Sequence, residues 1–186
     1  MEDALRKNMI VMIETIEGCL KEGHPLPGLV LLYTCLDVLG SVEAQPFTAT
    51  RASFVKWADE YFLKTHPLPC DATELYAARC GILHTFTAIS KLSQGGKARK
   101  IQYAWGNAEV ADLAQTATML GHTDVVTVHV RDLVDALRDG IVEYFQQVDA
   151  DPTRQSVVAQ RAGLWFTDLR IDIVRKFLDS RGPRHT

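Results

Sequence analysis

The sequence predicts a mainly α protein, a helical bundle carrying a small β-hairpin element in its C-terminal half. Three observations predict it. Apolar residues recur at helical spacing through most of the chain, as at Leu5, Met9, Met12, Ile13 and Ile16. Between about 100 and 130 that period gives way to KIQYAWG and TDVVTVHV, short runs rich in β-branched and aromatic residues. Segments containing Gly or Pro separate the pieces.

Taken in order, residues 2–22 read as an amphipathic helix, stopped by Gly23 and His24-Pro25-Leu26-Pro27. A strongly apolar helix follows from Gly28 to Gly40, with Asp37 as its lone charge. Residues 50–64 form a third helix anchored by Phe54, Trp57, Tyr61 and Phe62. Asp71 and Glu74 make a D-x-x-E capping pattern, which starts a fourth helix at Ala72. It is expected to run to Leu92 and end at Gln94-Gly95-Gly96. The two strands follow, with a helix between them near Ala108–Leu120. Residues 131–148 return to helical spacing, and Asp149-Ala150-Asp151-Pro152 reads as a break. A last amphipathic helix covers Thr167–Ser180, and the tail RGPRHT is expected to fray. One domain accounts for residues 1–186, with a core over 2–92 and 131–180 and the β-element over 100–130.

The chain has 186 residues, enough for one proper core. Hydrophobic residues make up 47% and charged residues 23%, a globular balance. The net charge of −3 gives no overall basic field, so a polyanion would need a local basic patch. The N-terminus lacks the design of a signal peptide, since Glu14 and Glu17 interrupt its apolar residues. No apolar run approaches the roughly 18 residues of a membrane span. Cys19, Cys35, Cys70 and Cys80 show neither a CxxC pair nor a disulfide-framework spacing. They read as reduced thiols, and the protein as cytoplasmic with no membrane partner.

On a helical wheel the fourth helix places Arg79 at the centre of an apolar stripe. Leu75, Tyr76, Ile82, Leu83, Phe86 and Ile89 all fall within about 80° of it. A guanidinium there needs a partner or open space. Ala77, Gly81, Thr85 and Ala88 make the opposite side small, with His84 at its border. A second copy of the chain is the simplest cover for that side, which predicts a homodimer. Two readings of Arg79 stand. It is a structural ion pair, most simply with Asp37, or it is an anion site in a dry cleft.

The string LYAARCGILHT (75–85) resembles the R-x4-6-H signature of the HEPN superfamily of all-helical domains, with Arg79 and His84 at the matching positions. The placement is similar too, on a late helix after an apolar one bearing an acidic residue, here Asp37. The resemblance covers residues 28–92. It implies an HEPN-like bundle and a metal-independent endoribonuclease, with no cofactor, that gathers two motifs at a dimer interface. RNA cleavage of this kind uses the substrate's own 2′-OH. Histidine, with an ordinary pKa of roughly 6.5, suits the proton transfers. A guanidinium grips two phosphate oxygens at once. On this reading Arg79 and His84 are catalytic, Asp37 orients Arg79, and Thr85 adds a hydroxyl.

Lys97, Arg99 and Lys100, followed by Tyr103 and Trp105, form the densest basic cluster and are the candidate RNA contacts. The alternative is a solvated loop leading into a strand. His66 and Cys70, with His24, lack a second pair at metal-site spacing, so no metal is expected. No Walker, GxGxxG, GxSxG or HExxH motif is present. Cys80 reads as a buried, inert thiol. Two other functions stay open: a non-catalytic dimerisation or scaffold module, and a domain holding a small phosphate-bearing ligand.

Overall fold

The computed structural model of the chain describes residues 4–45, 47–162 and 171–180. It is mainly helical with a small two-stranded sheet, in the order α1 (Ala4–Lys21), α2 (Pro25–Val42), α3 (Arg51–Trp57), a π-helical turn (Ala58–Phe62), α4 (Leu63–Thr65), α5 (Ala72–Thr85), α6 (Lys91–Gln94), β1 (Lys100–Ala104), α7 (Val110–Met119), β2 (Val125–His129), α8 (Val130–Asp149), α9 (Pro152–Ala162) and α10 (Ile171–Ser180). The start of the last expected helix, 167–170, and the tail 181–186 lie outside the described residues.

α2 is the central helix and packs against α1, α3, α5, α8 and α9. It starts at Pro25, three residues earlier than the sequence suggested. A proline in the first turn loses only an N–H that has no intrahelical partner anyway. The longer helix reaches 18 residues with a mean hydropathy of 1.5, so by length and composition it could cross a membrane. The sequence reading missed that span by beginning the helix at Gly28. Within the fold, Leu29, Leu32, Tyr33, Leu36 and Leu39 of α2 are buried in the bundle core.

α3, the π turn and α4 form one bent rod. It opens on a capping box: Thr50 Oγ1 accepts from the Ser53 amide at 3.1 Å, and Ser53 Oγ accepts from the Thr50 amide at 3.0 Å. The rod lies close against two other helices, each time at a glycine. A Cβ on Gly40 would stand 2.9 Å from the Ser53 carbonyl, and one on Gly140 would stand 3.1 Å from the Tyr61 carbonyl.

The β-element is present, but it is not a hairpin. β1 and β2 run parallel, paired from Lys100↔Val125 to Ala104↔His129. The cause is α7, which lies between them in the chain and packs on β2. A strand that returns through a helix re-enters at the same end of its neighbour, whereas a hairpin needs a tight turn. One face of the sheet, with Ile101 of β1 and Val126 and Val128 of β2, joins the hydrophobic core, β1 packing on α5. The Tyr33 and Tyr103 hydroxyls, 2.7 Å apart, tie α2 to β1. β2 passes into α8 without a break. His129 ends the strand and caps the helix, its Nδ1 accepting from the Arg131 amide at 3.0 Å.

One helix was missed by the sequence reading and one boundary departs from it. α8 ends at Asp149, where the break was expected, but α9 starts directly after it at Pro152. Asp151 accepts from the amides of Thr153 (2.9 Å) and Arg154 (3.2 Å), with Pro152 as the first residue of α9. The fourth helix, expected to reach Leu92, ends at Thr85. Phe86 adopts a left-handed conformation (φ 52°, ψ 35°), and the Thr87 amide bonds back to the Gly81 carbonyl at 3.3 Å. Chain 87–89 then folds over Gly81, where a Cβ would stand 2.3 Å from the Thr87 carbonyl oxygen. At Gly81 the small-residue side of α5 is therefore covered by the chain's own residues 87–89.

Candidate functional site

The site is built on two helices that the capping residues and the core hold in register. Asp71 and Glu74 close a reciprocal capping box: the Asp71 carboxylate accepts from the Glu74 amide at 2.8 Å and the Glu74 carboxylate from the Asp71 amide at 3.0 Å. Leu75, Ala78 and Ile82 of α5 are buried, so the helix has no freedom to rotate. Arg79 then faces α2.

There the Arg79 guanidinium meets Asp37. Nε and Nη2 both donate to Asp37 Oδ2, at 2.7 and 2.5 Å. Both side chains are largely covered, 20% exposed for Arg79 and 16% for Asp37. Burial works against the guanidinium's charge, but the Asp37 carboxylate outweighs it and raises the Arg79 pKa above its ordinary value. The arginine is therefore a fixed cation. Its remaining terminal nitrogen, Nη1, lies 3.3 Å from Nε2 of His84 in the last turn of α5. His84 itself is exposed. Asp37, Arg79 and His84 thus form a chain of contacts from the bundle interior to the surface.

Of the sequence candidates, these three are brought together. Thr85 is not joined to them: its hydroxyl donates to the Gly81 carbonyl at 2.8 Å and lies 2.8 Å from the Thr87 hydroxyl, closing the helix end. The basic cluster does not stand as one patch. Arg99 turns inward to Glu74, with Nε–Oε1 at 2.5 Å and Nη2–Oε2 at 3.0 Å, and it also donates to the Pro69 carbonyl at 3.0 Å. Lys100 pairs with Asp124 at 2.7 Å. Lys97 is exposed with no ion-pair partner among the described residues. Tyr103 is occupied by Tyr33, while Trp105 is exposed. His66 meets Asp139 at 3.3 Å. No cluster of three metal-binding side chains occurs among the described residues. All four cysteines are free thiols, with Cys80 half-buried.

Sequence reasoning missed two polar centres. Glu74 was read as a capping residue, and it is also the buried carboxylate that fixes Arg99. Burial alone would raise its pKa, but the Arg99 guanidinium and two backbone amides overcome that and hold it below the usual carboxylate value. The second is Arg154 of α9. It grips Glu43 with two bonds of 2.7 Å and donates to the Tyr61 hydroxyl at 2.9 Å. The Asp-Pro-Thr start of α9 was the signal that could have found it, because it places Arg154 in a first helical turn.

No family model matches the chain, and neither a curated protein nor a solved structure matches it significantly.

Chemically, the Asp37–Arg79–His84 chain offers a fixed positive charge beside an exposed imidazole. Such a pair can receive an anion and exchange a proton with it.

Proposed function

We propose that the protein is an HEPN-like domain that cleaves RNA without a metal ion, through Arg79 and His84 of two copies meeting at a two-fold axis. One observation carries this reading: His84 Nε2 lies 3.3 Å from Arg79 Nη1 at the exposed end of a guanidinium that Asp37 holds in place.

The chemistry follows from the residue types. A neutral His84 accepts the proton of a ribose 2′-OH, and that oxygen attacks the adjacent phosphorus. The O2′–P bond forms and the P–O5′ bond breaks, leaving a 2′,3′-cyclic phosphate. The departing 5′ oxygen takes its proton from the protonated His84 of the second copy. The two guanidiniums offset the charge that builds on the non-bridging oxygens. Asp37 keeps each guanidinium oriented, which lowers the reorganisation needed when the phosphate arrives.

The test is incubation of the purified chain with mixed RNAs in the presence of chelator, beside His84→Ala. His84 is exposed, so the variant should fold. Proton transfer by a placed side chain is worth about 10²–10⁴ in rate, so cleavage should fall by at least about 100-fold in the variant. Equal cleavage by both proteins, or none by wild type, defeats the reading. Sedimentation should show a dimer, and a monomer at working concentration would also count against it.

A second reading is favoured by the same geometry. Arg79 gives both Nε and Nη2 to Asp37, as a residue would if its purpose were to pin α5 to α2. On that reading the protein is a non-catalytic scaffold or holds a small phosphate-bearing ligand. Inorganic phosphate titrated against Arg79 by NMR separates these two cases.

A further inference from the structure

The sheet has two strands, and the backbone of β1 is paired on one side only. The Lys100 amide donates to the Asp124 carbonyl at 2.8 Å, and the register runs from Lys100↔Val125 to Ala104↔His129. In a parallel ladder, residues that bond the neighbouring strand alternate with residues that point away from it. Lys100, Gln102 and Ala104 therefore turn their backbone groups to β2, and Ile101 and Tyr103 turn theirs to the other side. The N–H and C=O of these two residues take no hydrogen bond among the described residues.

An open groove of about 610 Å³ lies along this edge. Successive side chains of a strand point to opposite faces, yet the groove touches Lys100, Ile101, Gln102 and Tyr103 alike. It therefore follows the edge of β1 rather than one face of the sheet. Leu26 and Leu29 of α2, Ile82 and Phe86 at the end of α5, and Ala117 and Leu120 at the end of α7 border it. Leu29, Ile82 and Ala117 are buried, whereas Leu26, Phe86 and Leu120 are 42%, 67% and 68% exposed. The groove thus has a closed apolar floor and an accessible apolar rim. Its lining includes Lys100 and His122 and no carboxylate, although Lys100 also meets Asp124 from outside it.

We propose that this groove binds an extended peptide segment of another protein, which adds to β1 as a third strand. A helix has already spent its own backbone groups, and an apolar small molecule has none to offer. Only an extended chain supplies N–H and C=O groups at the spacing that Ile101 and Tyr103 present. The segment is about five residues long, the length of β1. Apolar side chains at alternate positions meet the Leu26, Phe86 and Leu120 rim, and an acidic residue lies at the Lys100 end.

The test uses six-residue peptides, acetylated and amidated, with Val, Leu or Phe at alternate positions and Thr between them. One set carries Asp at the first position, a second carries it at the last, and a third carries Lys in place of Asp. Binding to the full chain is followed by calorimetry, and amide exchange by NMR. At least one Asp peptide should bind about tenfold more tightly than its Lys counterpart. Asp at the first position marks a strand parallel to β1, and Asp at the last an antiparallel one. On binding, the Ile101 and Tyr103 amides should gain at least about tenfold protection. Those of Gln102 and Ala104, already bonded to β2, should change little. N-methylation of the peptide at alternate residues removes its edge donors and should weaken binding at least about tenfold. Leu120→Glu, at an exposed position, should weaken it about tenfold. Lys97→Glu lies outside the groove and should leave it unchanged. Circular dichroism confirms that both variants are folded. Failure of all the Asp peptides to bind overturns the proposal. So does binding that leaves the Ile101 and Tyr103 amides unprotected, or that ignores N-methylation or Leu120→Glu. Protection of those amides that rises with protein concentration alone would assign the groove to a second copy, and also overturns it. The groove contains none of Asp37, Arg79 and His84, so these outcomes leave RNA cleavage to its own test.

Discussion

Glu74 carries an unusual share of the connections around the candidate site. Its side chain is 5% exposed, yet it serves the start of α5, the Arg99 guanidinium and the Arg99 amide. A buried carboxylate is costly unless its lone pairs are satisfied, and here they are. Its pKa is lowered in the fold, so the folded state binds its proton more weakly than the unfolded state. The resulting stability is fully present above the ordinary carboxylate value and is lost as the pH falls through the lowered one. The expected outcome is a melting temperature that falls between about pH 5 and pH 3, and falls less steeply in Glu74→Gln. Parallel pH profiles for the two proteins would show that Glu74 contributes nothing through its charge. Arg99→Ala would leave a buried carboxylate without its cation, and it should cost more stability than Lys97→Ala, which loses no contact.

At the level of elements, the end of α5 sets what the site looks like. His84 occupies the last turn only because the helix stops at Thr85, and the stop depends on Gly81. A methyl group there would strike the Thr87 carbonyl, so Gly81→Ala should destabilise by about 3 kcal/mol, read from chemical denaturation. A change under about 0.5 kcal/mol would mean that the fold-back is loose. The same helix shows what was legible in the sequence. Asp71 and Glu74 announced its start, since a capping box is local chemistry. The wheel position of Arg79 announced a partner, because a cation amid apolar residues must have one, and Asp37 was the available charge. Its end was not legible. Phe86 is the kind of residue that ordinarily continues a helix, and nothing local marks it for a left-handed turn. The strands were legible from β-branched residues, but their direction was not, because it depends on how α7 crosses back. The Glu43–Arg154–Tyr61 cluster was invisible for a similar reason. Its members are more than a hundred positions apart at the extremes, and their meeting depends on the packing of α9 rather than on any local pattern.

Across the whole molecule, one hydrophobic cluster runs from Leu5 of α1 through α2, α5 and both strands to Ala162 of α9. His129 belongs to β2 and to the cap of α8 at once, so strand and helix lack a hinge. The sheet is consequently not a detachable appendage: opening it must unwind the first turn of the longest helix in the bundle. Native-state amide exchange should therefore report a single opening energy for β2 and for the start of α8. Strand amides that exchange by a much cheaper route would reveal a joint where none is drawn.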